Sequence, residues 1–234
     1  MCGRIVLFSA PHVLAEKFFL DMLPDLMPRY NIAPSSNIAG VVANPRSDGR
    51  LVKMFRWGLV PPWSPNPDVG AKMINARSET VLEKPSFREA FLARRCLIPV
   101  DGFYEWHKRD GVLQPFLFRR KDHGVFALAG LWENWEYPGE RKLETCTILT
   151  SAANNTMRPI HHRMPVILPE KDWKVWLDLS QEKAEQLTAL LKPCAADVLL
   201  AHPVSRQVNK PAFDQPECLD PVWDDPRGQM NMFE

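Results

Sequence analysis

The sequence lacks the features that mark secreted, membrane-spanning and metal-stabilised proteins. No apolar run approaches the length of a membrane-spanning helix, and the run Ile5–Phe8 is far too short for a signal peptide. The five cysteines are dispersed, with no C-x-x-C pair and no histidine–cysteine cluster of zinc spacing. We therefore expect a cytoplasmic protein with reduced thiols, no bound metal and no cofactor.

The chain also has almost no excess of charge. Its formal net charge is +1 over 234 residues. This balance argues against a strongly basic coat of the kind that grips long duplex DNA, although a local basic groove remains compatible with it. Neither a repeat nor a linker divides the sequence, and its length is sufficient for one domain with a sizeable core.

Numerous prolines, 22 in all, and short runs of β-branched and aromatic residues predict a chain rich in strands. The predicted strands are Cys2–Phe8, Ile38–Val42, Leu51–Val60, Cys96–His107, Gln114–Arg119, Val125–Glu133, Glu144–Thr150, Val166–Leu168 and Val198–Ala201. The predicted helices are Pro11 to about Met22, Phe87–Arg94 capped by Ser86, Pro169–Leu177 and Gln181–Leu191. Together these elements predict one α+β domain, residues 1–210, with a curved, barrel-like, mostly antiparallel sheet and peripheral helices. Residues 211–234 are predicted to form a C-terminal tail that lies on the surface or is loose.

The first four residues, Met1-Cys2-Gly3-Arg4, carry the most distinctive chemistry. If Met1 is removed, Cys2 bears a free α-amine next to its thiol, and such a pair condenses with an aldehyde to an imine and then a thiazolidine. The two groups titrate at about 8 and about 8.5, so a modest pKa shift makes either one nucleophilic. The competing interpretation is an ordinary packed terminal cysteine.

Three further residues are candidates for proton transfer. Glu105 lies in an aromatic stretch and is either at a sheet edge in water or in a dry site that suits proton transfer. His161 and His162 are adjacent and, on an extended segment, point to opposite faces. One of them is then solvent-exposed, and the other is a candidate acid–base group or a hydrogen-bond donor to phosphate.

Polar and aromatic residues of the kinds that bind single-stranded nucleic acid are interleaved along the chain. Asn75 and Arg77 share one face of an extended segment, where they can bind a sugar and a phosphate; the alternative is a turn asparagine and a surface arginine. The remaining candidates combine cationic groups with rings that stack on bases, although tryptophan is more often a core residue. They are Arg4, Arg56, Arg163, Trp57, Trp63 and Trp106.

Seven motifs, in order over nearly the whole chain, resemble those of the SRAP family, the SOS-response-associated peptidases or abasic-site-processing proteins. They are Met1-Cys2-Gly3-Arg4, Arg29-Tyr30-Asn31-Ile32-Ala33-Pro34, Trp57-Gly58-Leu59-Val60-Pro61, Asn75-Ala76-Arg77-Ser78-Glu79-Thr80, Gly102-Phe103-Tyr104-Glu105-Trp106, Ile160-His161-His162-Arg163-Met164-Pro165 and His202-Pro203-Val204-Ser205. The resemblance implies the SRAP fold and recognition of abasic sites in single-stranded DNA, often at a junction with duplex. It also implies a thiazolidine crosslink between Cys2 and the ring-opened sugar.

The resemblance also implies a role for each matching residue. Cys2 is the implied nucleophile, and Asn75 positions it and the sugar. Glu105 shuttles protons in Met1 removal, ring opening and crosslink reversal. His161 contacts the opened sugar or the adjacent phosphate and assists proton transfer. Arg4, Arg77 and Arg163 are implied backbone clamps. Pro34, Trp63 and Trp106 are implied stacking or strand-wedging surfaces. The expected protein is a monomer that acts on DNA, in the nucleoid of a bacterium or the nucleus of a eukaryote.

Two other functions remain open on the residues alone. A class II glutamine amidotransferase, or a related N-terminal-nucleophile hydrolase, also starts Met-Cys-Gly, but it needs its own glutamine-binding and oxyanion motifs. A passive single-strand-binding module would leave Cys2 inert.

Overall fold

The computed structural model describes residues 2–109, 111–136, 142–180 and 184–222. Met1 and residues 223–234 of the predicted tail, which enter the predictions above, lie outside these ranges. The described strands, in chain order, are β1 (Ile5–Leu7), β2 (Arg29–Ile32), β3 (Asn37–Ala43), β4 (Arg50–Trp57), β5 (Asn75–Arg77), β6 (Arg95–Val100), β7 (Gly102–Arg109), β8 (Val112–Arg120), β9 (Phe126–Glu136), β10 (Lys142–Ala152), β11 (Arg163–Pro165), β12 (Ile167–Leu168) and β13 (Leu199–Pro203). The described helices are α1 (Pro11–Phe18), α2 (Pro85–Ala93), α3 (Trp173–Leu177) and α4 (Ala184–Ala189).

Five strands close into a barrel in the order β4, β3, β6, β9 and β10. Neighbours in this ring are antiparallel except β4 and β10, which run parallel where Arg56 and Trp57 meet Thr145 and Cys146. Strand β6 is buried at every position, so both of its faces are covered. Strands β5 and β11 extend the barrel at β10, and β12 pairs with β9. The predicted barrel-like, mostly antiparallel α+β architecture is confirmed.

A second sheet lies beside the barrel, with the antiparallel order β13, β8, β7, β1 and β2. The first strand of the chain is therefore an interior strand of this sheet. Ile5 lies opposite Phe103 of β7 on one side and opposite Ile32 of β2 on the other. This double pairing fixes the residues that follow Met1 at the seam between the two sheets.

The predicted strand Cys96–His107 is wrong as a single element, because it divides at Asp101 into β6 of the barrel and β7 of the second sheet. The Asp101 carboxylate is 1% exposed and accepts hydrogen bonds from the backbone N–H groups of Phe8 and Ser9, at 2.6 and 2.7 Å, and from the Ser9 hydroxyl at 2.5 Å. One aspartate thus turns the chain from one sheet to the other and anchors the end of β1.

The helices differ from their predicted bounds for local reasons. Helix α1 ends four residues before Met22, because Phe19 adopts a left-handed conformation at φ 52° and Leu20 pairs with Arg50 instead. Helix α2 begins at Pro85. Proline suits the first position of a helix, because the backbone nitrogen there has no hydrogen-bond partner within the helix. Ser86 lies inside the helix and does not cap it. Helix α4 is described only from Ala184; residues 181–183 of the predicted helix lie outside the described ranges.

Part of the predicted tail is described and lies against the second sheet. The Asp214 carboxylate accepts hydrogen bonds from the N–H groups of Tyr30 and Asn31, at 2.5 and 2.8 Å, and the side chain of Cys218 is fully buried. The domain boundary at residue 210 stays a prediction. Within the described ranges, no helix has both the length and the apolar character needed to cross a membrane.

We predict that Asp101→Ala lowers the free energy of unfolding by about 2–3 kcal/mol, because two backbone N–H groups and one hydroxyl lose a charged acceptor. Urea denaturation measures this change. Asp101→Asn keeps one acceptor oxygen and the same shape, so it should lower the free energy of unfolding by less than Asp101→Ala does. A loss below about 0.5 kcal/mol for the alanine variant, which is ordinary for a surface substitution, would contradict the anchoring role.

Candidate functional site

Cys2 lies at the seam between the barrel and the second sheet, with its side chain fully buried. The side-chain amide of Asn75 donates a hydrogen bond of 2.8 Å from Nδ2 to the carbonyl oxygen of Cys2. Asn75 reaches this position because β5 pairs with β10 and buries Ala76, which turns Asn75 and Arg77 to the other face. The predicted shared face of Asn75 and Arg77 is confirmed, with Asn75 half-buried and Arg77 exposed.

Glu105 is buried, which decides between the sheet edge in water and the dry site that the sequence left open. It lies on β7, between β1 and β8, and its residue surface is 3% exposed. Its Oε1 lies 3.9 Å from Nδ1 of His161, whose side chain is 21% exposed. A buried carboxylate and a partly accessible imidazole at this distance interact as charges, while 3.9 Å is longer than the roughly 2.6–3.2 Å over which a proton passes directly.

His161 receives a hydrogen bond of 2.9 Å at Nδ1 from the backbone N–H of Arg163. Nδ1 also lies 3.1 Å from the carbonyl oxygen of Arg163, so these backbone contacts are compatible with either tautomer of the neutral ring. Burial lowers the pKa of His161 below its ordinary value, while the charge of Glu105 acts in the opposite direction. Nδ1 is therefore the ring nitrogen that faces the protein backbone.

The prediction that His161 and His162 point to opposite faces is wrong. Their rings stack, with centroids 4.4 Å apart and an angle of 22° between their planes. The parity argument fails because these two residues precede β11 in an irregular segment rather than in a strand. His162 is exposed, whereas His161 is the histidine that lies beside Glu105.

The environment of Cys2 favours its neutral thiol. Burial raises the pKa of the Cys2 thiol far above its ordinary value, and the nearby charge of Glu105 raises it further. A thiol held in this way needs a base to become a nucleophile. Glu105 and His161 are the acid–base groups that the fold brings to this end of the chain.

Arg4 is bound by protein atoms rather than displayed to solvent. It is 8% exposed, and its Nη1 donates to Oδ1 of Asn31 at 2.5 Å and to the carbonyl of Val208 at 2.9 Å. Its guanidinium lies 5.6 Å from the ring centroid of Trp106. The indole N–H of Trp106 donates in turn to Oδ1 of Asn209 at 2.7 Å. The clamp and stacking roles of Arg4 and Trp106 stay predictions.

Asn31 is a polar residue of this region that the sequence reasoning did not single out. It is 1% exposed, accepts from Arg4, and donates from Nδ2 to the carbonyls of Val208, Lys210 and Phe213. It thus ties β2 to the N-terminal segment and to the chain after β13. The one sequence signal for Asn31 was its place in the motif Arg29–Pro34. Its hydrogen-bond partners could not be predicted, because most of them are far away in sequence.

Arg163 forms a two-pronged ion pair with Glu79, which sequence reasoning also missed. Nη1 and Nη2 donate to Oε1 and Oε2 at 2.6 and 2.8 Å, and Nη2 also donates to the carbonyl of Thr150 at 2.7 Å. This hydrogen bonding to Arg163 lowers the pKa of Glu79.

The other predicted nucleic-acid contacts lie on loops or in the core. Trp63 is 64% exposed, and Pro34 is half-buried in the turn before β3; their roles stay predictions. Trp57 is a core residue whose indole N–H donates to the carbonyl of Ile74, so the core alternative holds for it. Among the residues the structure describes, no three histidine, cysteine, aspartate or glutamate side chains are grouped to hold a metal ion.

Comparisons with known proteins find similarity over most of the chain. The family model described as SOS response associated peptidase (SRAP) matches residues 1–211. The abasic site processing protein YoqW of Bacillus subtilis is 45% identical over 224 residues, covering 94% of this chain and 99% of that protein. The abasic site processing protein HMCES of Gallus gallus is 34% identical over 225 residues, 83% of this chain and 66% of that protein. A crystal structure from Bacteroides thetaiotaomicron superposes with a TM-score of 0.84 at 26% identity, covering 94% of this chain and all of that one.

We predict that His161 titrates below the unfolded-chain value of about 6.5, because burial disfavours its imidazolium form. In this pH range the unfolded chain binds more protons at His161 than the folded chain does. The contribution of His161 therefore lowers the free energy of unfolding as the pH falls through the pKa of the unfolded state toward that of the folded state. Glu105→Gln should lower the His161 pKa further, because it removes the charge that favours protonation. NMR titration of the imidazole Cε1–H signal, assigned with His161→Gln, measures both. A midpoint at or above the unfolded value would contradict this account.

Proposed function

The chain belongs to the SRAP family, and on that basis we propose that it recognises abasic sites in single-stranded DNA and links to them through Cys2. The proposed product is a thiazolidine between Cys2 and the ring-opened sugar, which shields the lesion. The observation that carries the proposal is the convergence of Cys2, Asn75, Glu105 and His161 from four separate stretches of the chain.

The first proposed step is removal of Met1. Water adds across the Met1–Cys2 peptide bond and releases free methionine and the α-amine of Cys2. Glu105 moves the protons of this step, since it is the buried carboxylate beside Cys2. Asn75 holds the carbonyl of Cys2 and so keeps the new terminus in place.

The second proposed step joins the terminus to the lesion. The Cys2 amine attacks the aldehyde carbon of the open sugar and expels one water to give an imine. The thiol then adds to the imine carbon and transfers its proton to nitrogen, which closes the five-membered ring. Glu105 and His161 supply and accept the protons of dehydration, and the same groups run the sequence backwards in crosslink reversal.

Binding of the strand is proposed to depend on phosphates and stacking, because an abasic site offers no base to read. Arg77 and Arg163 lie two residues after Asn75 and His161 in sequence and, together with Arg4, are the proposed phosphate contacts. Pro34, Trp63 and Trp106 are the proposed stacking surfaces. We propose that the protein works as a monomer on single strands and at single-strand–duplex junctions. Its proposed location is the bacterial nucleoid or the eukaryotic nucleus.

We predict that an oligonucleotide with an abasic site gives a heat-resistant, slower band on a denaturing gel with this protein, and that Cys2→Ala gives none. The physical reason is that only the terminal aminothiol can close the thiazolidine ring. Cys2→Ser is the matched control, because it keeps the amine and can form the imine but yields a far less stable ring.

The proposal fails if intact mass shows Met1 removed and yet no covalent band forms. Hydrolysis of glutamine without a DNA adduct would favour an amidotransferase instead. Salt-sensitive binding of single strands with no adduct would favour a passive binding module.

We also predict that Glu105→Gln slows Met1 removal and adduct reversal by about 100-fold or more, the usual contribution of one acid–base group. Intact-mass time courses measure the first rate, and transfer of the protein from a labelled to an unlabelled strand measures the second. Glu105→Gln keeps the size and hydrogen-bonding capacity of the side chain, so folding should persist. Unchanged rates in both assays would remove Glu105 from its proposed role.

A further inference from the structure

The ion pair between Glu79 and Arg163 blocks the guanidinium group that the proposed function assigns to DNA. Glu79 lies in the single 3-10 turn Ser78–Thr80 directly after β5, two residues beyond Arg77. Its two carboxylate oxygens face the two terminal nitrogens of Arg163 at 2.6 and 2.8 Å. Carboxylate and phosphate bind this fork of arginine with the same two-pronged geometry.

The other donors of Arg163 leave little room for a second anion. A guanidinium has five N–H groups. Nη2 uses one for Glu79 and one for the carbonyl of Thr150, and Nη1 uses one for Glu79. Nε is buried and has no hydrogen-bond partner. One N–H on Nη1 therefore remains, so a phosphate gains a two-pronged contact only after Glu79 leaves.

The two partners differ in their freedom to move. The side chain of Arg163 is 11% exposed and is held by Thr150 on the neighbouring strand, whereas that of Glu79 is 50% exposed. An ion pair whose acid stands half in water contributes little to stability and is easily exchanged. Glu79 is thus the partner that can rotate into solvent while Arg163 keeps its position.

We propose that Glu79 occupies the place of a DNA phosphate on Arg163 and is displaced when a strand binds. This inference rests on the proposed function, because it takes Arg163 as a phosphate contact. Glu79 then acts as a built-in competitor. It keeps the guanidinium oriented in the free protein and lowers the affinity for every single strand, so that undamaged DNA is released readily.

The test is equilibrium binding of a fluorescent oligothymidylate without an abasic site, followed by anisotropy over a range of salt concentrations. Glu79→Gln should bind about two- to fivefold more tightly than the wild type, the range set by an exposed ion pair. The gain should be largest at low salt, where charges are least screened. In an Arg163→Gln background, Glu79→Gln should have no effect, since the competition acts only on Arg163.

Glu83→Gln is the matched control, because Glu83 is exposed on the same segment and its loss changes the net charge equally. Binding by Glu79→Gln that is unchanged or weaker would overturn the inference, as would an equal gain from Glu83→Gln or in the Arg163→Gln background. Wild-type protein that binds no single strand would overturn it as well. The crosslinking assay is separate: a selective gain from Glu79→Gln with no covalent band supports the competitor role while the proposed function fails.

Discussion

The pairing of β1 on both of its sides is the constraint on which the rest of this structure depends. Three residues, Ile5–Leu7, lie between β7 and β2, and Asp101 holds the two residues that follow them. An interior strand cannot slide or fray without breaking hydrogen bonds on both sides. Cys2 therefore lies three residues before a strand that is paired on both sides, and one of the two partner strands carries Glu105. Residues near a terminus are usually the most mobile part of a chain, whereas Cys2 is anchored by this pairing and by the hydrogen bond from Asn75.

The two sheets supply different parts of the site. The barrel contributes Asn75 through β5, the second sheet contributes Glu105 through β7, and the segment before β11 contributes His161. Burial at their seam favours the neutral thiol of Cys2 and the neutral ring of His161. Groups held neutral in a dry site are suited to passing protons rather than to forming ion pairs. Two positive charges lie near these groups in sequence: Arg163, which is paired with Glu79, and Arg77, which is exposed.

Much of the fold could be predicted because hydrophobic alternation and turn residues are local signals. The barrel-like sheet and most strands, such as the one predicted over Ile38–Val42 and observed over Asn37–Ala43, follow from such patterns. The division at Asp101 could not be predicted, because the groups that bind its carboxylate lie more than ninety residues earlier in the chain. The stacking of His161 on His162 was missed for a similar reason: parity holds only where the backbone is extended, and tertiary contacts decide where it is.

By itself, the sequence determined the chemical inventory: a cysteine at position 2, an amide at Asn75, a carboxylate at Glu105 and an imidazole at His161, in motifs whose order identifies a family. Only the tertiary structure decided which of these groups are dry, which are paired and which face one another. It buried Arg4 against Asn31 instead of exposing it, and it set Glu79 on Arg163. The physical reason is that the pKa values and contacts of these groups depend on desolvation and on distances of a few ångströms between residues far apart in the chain, and neither quantity is encoded locally.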